Sequence, residues 1–303
     1  MSSDLEKFIK ALLSDDEADR LYAVDDIAST GDPSAAKTLA ERLESEKSQA
    51  VSDAIVFALK KLDCKETLDL LFGMFSSPNA FLRNAAVTIF GANGEGTLDF
   101  LMERYASSNK EIRKLILDSL MEIGTPKAAQ AIRWGLLDEA ENVKITAAEY
   151  LGRLCDKESI GDILQILEID PEPMMRVSIM EALVSFEDKT VYDQVTYVVC
   201  PDGDLKKTDP IYIPQLIKLA VRSGRIDDVK KIFKSIENVG LYADDILNAV
   251  VELRRREKVD IADLEAGYIL KKICEMNELR PDIINLAKRL VNTRKEPETP
   301  GES

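Results

Sequence analysis

The residues that could carry out chemistry are few in this chain of 303 residues, whose sequence contains no histidine. Without an imidazole there is no Ser–His or Cys–His nucleophile pair, no histidine metal ligand and no histidine proton shuttle. The four cysteines, Cys64, Cys155, Cys200 and Cys274, are far apart in sequence and form no Cys-x-x-Cys pair. We therefore expect no metal centre and no cofactor, and four reduced thiols that are mostly buried.

Neighbouring carboxylates are the remaining candidates for acid–base catalysis. Examples are the pairs Asp25 with Asp26, Asp227 with Asp228, and Asp244 with Asp245. Each pair falls at the start of a predicted helix or on an exposed face, where capping and solvation explain it without a catalytic role. The basic run 254–256 lies near a helix end, where the helix dipole favours cations; the alternative is contact with an acidic partner or with the chain's own acidic part. We predict that the chain is not an enzyme.

An apolar and basic pattern repeats along the first two thirds of the chain. Its anchor position recurs every 30–32 residues, at Arg20, Val51, Arg83, Arg113, Lys144 and Arg176. Four arginines at this position could form an anion clamp. One arginine per repeat, set beside many acids, instead favours a structural series that pairs with loop carboxylates of adjacent repeats. Repetition at this length is typical of solenoid proteins.

The elements that carry these positions are predicted helices. Positions three and seven after the anchor are small or branched and apolar, as close packing of helices requires: Ala23/Ile27, Ala54/Ala58, Ala86/Phe90, Ile116/Leu120, Ala147/Leu151 and Ile179/Leu183. Each second helix has one deep apolar position: Leu39, Leu71, Leu101, Ile132, Leu164 and Val195. Turns such as Gly31-Asp32-Pro33 and Gly124-Thr125-Pro126 join the paired helices. The pattern predicts an all-α fold with six helix pairs, over 16–45, 47–76, 79–107, 109–138, 140–169 and 172–199, after a half-repeat helix over Asp4–Leu13.

These residues carry a family resemblance. Arg20-x-x-Ala23, the Gly31-Asp32-Pro33 turn and Ala36-x-x-Leu39 resemble the short HEAT-like repeats of phycobilin lyases and of many bacterial adaptor proteins. The resemblance covers 16–199 and implies a right-handed α-solenoid of about six helix pairs. It implies no single function, because proteins of this kind include scaffolds, lyases, hydroxylases and glycosylases.

The 30–32-residue repeat ends at residues 200–213, which contain Pro201, Gly203 and Pro210. We therefore divide the chain into a repeat solenoid over 1–199, a linker over 200–213, a C-terminal helical module over 214–292 and a disordered tail over 293–303. Helical patterns resume at 214–222, 226–237, 241–257, 260–277 and 281–292. The module is expected to cap the sixth pair, with Val195, Val198 and Val199 packed against Ile213, Leu216, Ile217 and Ala220.

The resemblance implies that second helices line a concave surface. Positions two before and two after the deep residue lie on one face of each second helix. They place acidic residues beside large apolar ones, and the predicted partner-binding residues are Asp69, Asp99, Glu103, Gln130, Trp134, Asp162, Ile166, Asp193 and Tyr197. Charges around Trp and Tyr anchors are typical of protein-binding grooves. The alternative is an ordinary solvated face, with Trp134 partly packed against Leu136 or the next repeat.

The charge of the chain narrows the choice of partner. Residues 200–303 carry 19 acidic and 19 basic residues, so the whole formal charge of −15 lies in 1–199. Such a surface repels phosphate backbones and anionic lipid, and we expect neither nucleic acid nor membrane as a ligand. The N-terminal sequence lacks the features of a secretory signal, and no apolar run is long enough to span a membrane. We predict a cytoplasmic monomer.

The leading functional prediction is a non-catalytic scaffold or adaptor that binds a protein partner through its concave acidic and aromatic surface. The alternative is a bilin lyase-like or other cofactor-handling subunit, which rests on the repeat resemblance alone. An iron-dependent hydroxylase would need histidine ligands that this sequence lacks. A DNA glycosylase of this fold would be basic along its concave surface, whereas this chain is acidic there.

Overall fold

The chain folds entirely into helices where its structure is described. The computed structural model describes residues 3–261 and 264–292, and the chain divides after Asp156 into two compact units. No strand occurs within those described ranges. The predicted all-α fold is therefore confirmed. The predicted tail over 293–303 lies outside the described residues, and the predicted division at 199 and 213 stays a prediction.

The first unit contains a leading helix followed by helix pairs, as the periodicity predicts. Its helices are α1 (Ser3–Ala11), α2 (Glu17–Thr30), α3 (Ala36–Ser45), α4 (Gln49–Leu59), α5 (Leu68–Gly73), α6 (Ala80–Asn93), α7 (Leu98–Tyr105), α8 (Lys110–Ile123), α9 (Pro126–Ile132) and α10 (Glu141–Arg153). First helices pack on first helices (α2 on α4, α6 on α8), and second helices pack on second helices (α3 on α5, α7 on α9). A single pair cannot bury its apolar face alone, so this stacking makes one continuous core.

The turns between paired helices have the predicted chemistry. Gly31 and Gly124 end their helices in the left-handed region, with φ of 63° and 66°. Asp32 then accepts a hydrogen bond from the backbone N–H of Ser34, and Thr125 accepts one from the N–H of Ala128. These bonds satisfy helix-start donors that would otherwise have no partner.

Some second helices are short and are continued by 3₁₀ turns. Two of them change into 3₁₀ segments, Met74–Ser76 and Arg133–Leu137. In the latter, Gly135 packs so tightly that a Cβ atom there would lie 2.7 Å from the Cβ of Ala147 and 3.1 Å from a methyl group of Leu117. A glycine is therefore required where this segment touches the helices α8 and α10.

The second unit continues the pairing beyond the predicted six pairs. Its helices are α11 (Ile160–Ile169), α12 (Pro173–Val184), α13 (Lys189–Val199), α14 (Ile213–Arg222), α15 (Ile226–Ser235), α16 (Ala243–Glu257), α17 (Gly267–Glu275) and α18 (Pro281–Asn292). Helix α14 packs on α12, and α16 packs on α14, in the manner of successive first helices. Helix α17 begins at Gly267 rather than near 260, because Glu265 adopts a left-handed conformation (φ 52°) that interrupts the predicted helix.

The predicted docking of the C-terminal helices on the sixth pair is present. Helix α14 contacts both α12 and α13, and the predicted residues Ile213, Leu216, Ile217, Ala220, Val195 and Val199 are buried. Val198, predicted in the same interface, is half-buried and lines a groove between α11 and α13 instead. The contact is also electrostatic, with bridges that sequence reasoning did not predict: Lys218–Glu181, Arg222–Glu187, Arg225–Asp193 and Arg256–Glu187. The segment 200–213 between them forms three 3₁₀ turns, with Thr208 and Tyr212 buried.

The anchor arginines are structural, and two of the four pair with carboxylates. Arg20 donates from Nε and Nη2 to the two oxygens of Glu46 at 2.9 and 3.0 Å. Burial alone would raise the pKa of Glu46, but the backbone N–H of Ser48 and the guanidinium groups of Arg20 and Arg42 lower it to about 2. Arg113 holds Asp138 in the same way, at 2.7 and 2.8 Å.

The other two anchor arginines are bound to backbone oxygens instead. Arg83 donates to the carbonyl of Ser77, and Arg176 donates to the carbonyls of Asp170 and Glu168. Arg20 and Arg113 also donate to loop carbonyls five or six residues upstream. The shared role is therefore to satisfy carbonyl groups in the loop between repeats. The prediction of carboxylate pairing is wrong for Arg83 and Arg176.

Candidate functional site

The predicted binding residues lie on the surfaces of second helices, which we call the second-helix face and describe separately in each unit. In the first unit this face is formed by α5, α7 and α9 and the 3₁₀ segments that follow them. Asp69, Asp99, Glu103, Gln130 and Trp134 are all exposed there. In the second unit it is formed by α11, α13, α15 and α17, where Asp162, Asp193 and Tyr197 are exposed and Ile166 is half-buried.

Arg104 modifies the acidic face of the first unit. Its Nη2 donates to Oδ1 of Asp69 at 2.6 Å, and its guanidinium carbon lies 3.5 Å from the centre of the Phe100 ring. The ring stacks on Phe90, whose own neighbour is Phe75. The guanidinium of Arg104 is therefore held in place by two contacts, the aromatic ring and the carboxylate. Asp69 is therefore paired with a cation although its side chain is 86% exposed, and Asp99 is exposed on the same face.

Trp134 is an exposed large apolar side chain on this face of the first unit, as is Leu137 in the same 3₁₀ segment. Trp134 follows α9, and 64% of its surface is exposed. The neighbouring Arg133 is fixed by Asp156, whose two carboxylate oxygens accept from Nε and Nη2 at 2.7 and 2.5 Å. The local backbone is thus well anchored while the indole ring points largely into solvent. This exposure is compatible with both predictions, the partner-binding surface and the ordinary solvated face with Trp134 partly packed against Leu136 or the next repeat.

A cluster of charges organises the second-helix face of the second unit. Arg225, at the start of α15, donates from Nη1 to Asp193 of α13 at 2.9 Å, from Nη2 to the same carboxylate, and from Nε to Asp228 at 2.7 Å. Both carboxylates raise the pKa of Arg225 above its usual value. Burial would raise the pKa of Asp228, but hydrogen bonds from Lys231 and Arg225 lower it. Asp193, which is predicted to bind a partner, is thus paired with Arg225 within the chain.

Tyr197 stands between two grooves, and 86% of its surface is exposed. The α11–α13 groove has a volume of about 420 Å³ and is lined by Leu164, Val198 and Tyr197 among others. The α13–α15 groove has a volume of about 650 Å³ and is lined by Tyr197, Tyr192 and Arg225 among others. Two concave sites of this size that share one exposed aromatic wall can hold side chains of a bound segment.

A third groove continues this face toward the C-terminal end of the unit. It lies between α15 and α17 with a volume of about 460 Å³, and its lining includes Lys230, Lys234, Lys272 and Tyr268. Tyr268 is 70% exposed, with the ammonium of Lys272 4.7 Å from its ring centre. The face is thus more basic here than at α11 and α13. Sequence reasoning missed this groove because the spacing after residue 213 no longer follows the 31-residue repeat.

Two titratable groups that line the α13–α15 groove are held in their neutral forms. Burial raises the pKa of the Cys200 thiol and of the Tyr192 hydroxyl, which both line the α13–α15 groove, so each is protonated at neutral pH. In the described parts of the chain, no cluster of three acidic or cysteine side chains could hold a metal ion. The same ranges hold no helix that is long and apolar enough to cross a membrane.

The four cysteine side chains differ in solvent exposure more than predicted. Cys64 and Cys200 are buried and Cys274 is half-buried, but Cys155 is exposed. All four are free. Burial raises the pKa of Cys64 to about 11, which makes it unreactive at neutral pH. Cys155 is exposed because it follows α10 at a left-handed turn (φ 53°), outside the helical stripe that faces the core.

Comparison with known proteins supports the repeat assignment. Residues 5–91 match the family model described as HEAT repeats. Importin beta has a similar structure, with a TM-score of 0.53 and 11% sequence identity over 95% of this chain and 49% of that chain. This chain therefore spans about half the length of importin beta, and at this identity the likeness shows the fold alone. No curated protein matches the chain in sequence.

Two further structures are less similar. Human deoxyhypusine hydroxylase in complex with glycerol has a TM-score of 0.37 and 16% identity, over 74% of this chain and 86% of that chain. The complex of CpcE and CpcF of phycocyanin lyase from Nostoc has a TM-score of 0.33 and 14% identity, over 84% of this chain and 95% of that chain. These scores are too low to support a shared activity. The chain therefore has an α-solenoid fold of HEAT-like helix pairs, and its residues 5–91 match the HEAT repeat family in sequence.

Proposed function

We propose that this protein is a non-catalytic scaffold that binds a protein partner through its second-helix face. The observation that carries the proposal is the exposure of Tyr197 between two grooves of the second unit. A tyrosine that is 86% exposed gains most of its possible burial only when another molecule covers it. Exposed aromatic residues beside pockets are the residues that most often dominate binding energy at protein interfaces.

The first unit supports the same role through Trp134. It occupies the same position in the fourth helix pair as Tyr197 does in the sixth, two residues after the deep residue. The exposed carboxylates Asp99 and Glu103 lie on the same face of this unit, so a partner segment would carry basic residues beside its apolar contacts. Solenoid proteins commonly use such extended surfaces for binding. The bilin lyase-like alternative remains a prediction, since no observed side-chain arrangement supports it.

The test is affinity capture with the immobilised full-length chain from a lysate of the source organism, followed by mass spectrometry. Tyr197→Ala and Trp134→Ala should each lose partners that the unchanged chain retains. Tyr22→Ala is the matched control, because Tyr22 is 70% exposed on α2, a first helix away from the second-helix face. Candidate partners are then purified and titrated against all four proteins. Equal affinity of the unchanged chain, Tyr197→Ala and Trp134→Ala for every purified partner would overturn the proposal.

A further inference from the structure

Asn93 ends α6 and forms a polar bridge between the second and third helix pairs. Its Oδ1 accepts a hydrogen bond from the backbone N–H of Cys64 at 3.0 Å. Its Nδ2 donates to the carbonyl of Leu59, the last residue of α4, at 3.3 Å, and to the carbonyl of Ile89 in its own helix at 3.0 Å. One amide group therefore joins α6 both to the end of α4 and to the loop that follows α4.

The chemistry of these partners requires an amide at position 93. The N–H of Cys64 needs an acceptor, whereas the carbonyls of Leu59 and Ile89 need donors, and an amide supplies both kinds of group on one short side chain. An aspartate could accept from Cys64, but its second oxygen would face two carbonyl oxygens and donate to neither. Leu59, Cys64 and Ile89 are all 0% exposed, so water does not replace a bond that is lost there. Each buried carbonyl left without a donor costs free energy.

The residue after Asn93 is fixed by a separate requirement. Gly94 has φ 68° and ψ −151°, a backbone conformation that is open essentially to glycine alone. No atom lies within 4 Å of the place where its Cβ would be, so the requirement concerns the backbone and not the available space. The two requirements together place an asparagine directly before a glycine. Asn93–Gly94 is the only such pair in the sequence.

An asparagine before a glycine is the pair most prone to deamidation, because glycine has no side chain to hinder ring closure. The backbone nitrogen of Gly94 attacks Cγ of Asn93 and loses its proton, the side-chain amide leaves as ammonia, and a cyclic succinimide remains. Water then opens this ring at either carbonyl, which gives aspartate or isoaspartate at position 93. These steps need no oxidant, reductant or enzyme.

The folded chain opposes the first of these steps. The side chain of Asn93 is held by its three hydrogen bonds, and its backbone ψ of −9° is helical. The N–H of Gly94 also donates back to the carbonyls of Phe90 and Gly91. Ring closure requires Asn93 to leave this geometry, because the nitrogen of Gly94 must reach the side-chain carbon. The reaction therefore proceeds when the contact between α6 and the end of α4 opens.

We propose that Asn93 is a site of spontaneous deamidation whose product uncouples the second helix pair from the third. In the intact chain the hydrogen bonds of the amide slow the reaction. Once either product has formed, the donor to Leu59 and Ile89 is gone, and in isoaspartate the backbone is also longer by one methylene group. The original contact does not re-form, so the opening becomes permanent. This inference is independent of the proposed binding function.

Peptide mapping follows the reaction in the full-length chain during incubation at physiological temperature and pH. Trypsin releases residues 84–104 as one peptide, which contains Asn93 and also Asn84, an exposed residue of the same helix that precedes alanine. Deamidation should accumulate at Asn93 and not at Asn84, and an isoaspartate methyltransferase used as a reagent should label the product. The chain unfolded in urea should react at Asn93 at least about tenfold faster than the folded chain, because the folded contact is closed most of the time.

The consequence for stability is measured on the product and on a variant. Asn93→Asp reproduces the aspartate product and should lower the melting temperature by at least about 4 °C, since two buried carbonyls lose their donor. Asn84→Asp is the matched control: it makes the same change at an exposed position of α6 and should leave the melting temperature unchanged. The deamidated fraction of the unchanged chain, separated by anion exchange, should melt at a similarly lowered temperature, and this measurement does not require the variant to fold.

Four results would overturn the proposal. They are equal rates at Asn93 in the folded and unfolded chains, a reaction at Asn84 as fast as that at Asn93, no product in the folded chain after about a hundred half-times of the unfolded chain, and a deamidated fraction that melts together with the unreacted chain. A slow reaction confined to Asn93, together with a lowered melting temperature of the deamidated fraction, would support it.

Discussion

The ion pair between Arg113 and Asp138 lies almost completely out of solvent in the first unit, and both residues are 8% exposed. The two carboxylate oxygens of Asp138 accept from Nε and Nη2 of Arg113 at 2.7 and 2.8 Å. The hydroxyl of Tyr105 also donates to this carboxylate, at 2.8 Å. Burial would raise the pKa of Asp138, but the hydrogen bond from Arg113 holds it below the usual range. The carboxylate is therefore ionised at neutral pH, and both of its oxygens accept hydrogen bonds.

Asp138→Asn keeps the size of this side chain but leaves the guanidinium charge without its partner. Removal of one member of a buried ion pair costs about 3–5 kcal/mol, and arginine cannot reduce this cost by losing its proton. Arg113 keeps a hydrogen bond to the carbonyl of Ser108 at 2.8 Å, and Glu139 lies 3.4 Å from its Nη2. These two contacts place the expected loss in the free energy of unfolding at the lower end, about 3 kcal/mol.

Urea unfolding at pH 7, followed by circular dichroism, measures this loss. The matched control is Glu95→Gln, which breaks a pair of similar length, 2.7 Å, with Lys127, whose side chain is 71% exposed. Because solvent screens that pair, its loss should cost less than about 1 kcal/mol. If Asp138→Asn destabilises the protein no more than Glu95→Gln does, the anchor arginines do not stabilise the repeats as we have argued.

Three further changes probe packing, protonation and the C-terminal helices. Gly135→Ala should destabilise the protein by about 1–3 kcal/mol in urea unfolding, because its Cβ would lie 2.7 Å from that of Ala147. Acidification should remove up to about 3 kcal/mol as the pH falls from about 4.5 through about 2, since the depressed pKa of Glu46 gives a contribution that exists only while its carboxylate is ionised. A chain that ends at Val199 should melt at a lower temperature or aggregate by gel filtration, because it exposes apolar residues of the sixth pair that α14 covers.

Each of these three has its own control. Gly73→Ala in α5 meets nothing within 4 Å and should not destabilise the protein, so equal losses at both glycines would contradict the packing argument. Glu46→Gln should flatten the pH dependence between about 4.5 and 2, and an unchanged slope would assign the acid sensitivity to other groups. A monomeric chain ending at Val199 that retains its melting temperature would show that the C-terminal helices are an independent module.

The helix pairs of this protein could be predicted from the sequence because their causes are local. Apolar residues three and four apart define a buried stripe, and Gly31-Asp32-Pro33 supplies a left-handed end, a capping oxygen and a fixed φ within three residues. Most predicted positions are buried, including Ile27, Leu39 and Leu151 at 0% exposure. The large exposed residues Trp134 and Tyr197 were predicted in the same way, from their place on the helix relative to the deep residue.

The tertiary structure decided which carboxylates of the second-helix face form ion pairs within the chain. Asp69 and Asp193 look like Asp99 in sequence, yet each is paired with an arginine 35 or 32 residues away, Arg104 or Arg225. Such a partner lies on the next helix pair, and its reach depends on how closely the pairs stack. Stacking also decided the register of α11: its deep residue is Ile163, at 0% exposure, and the predicted Leu164 is wrong, because it lies one residue further round the helix and is half-buried. Periodicity along the chain therefore determined the helices, whereas contacts between pairs decided which of their exposed residues can still bind a partner.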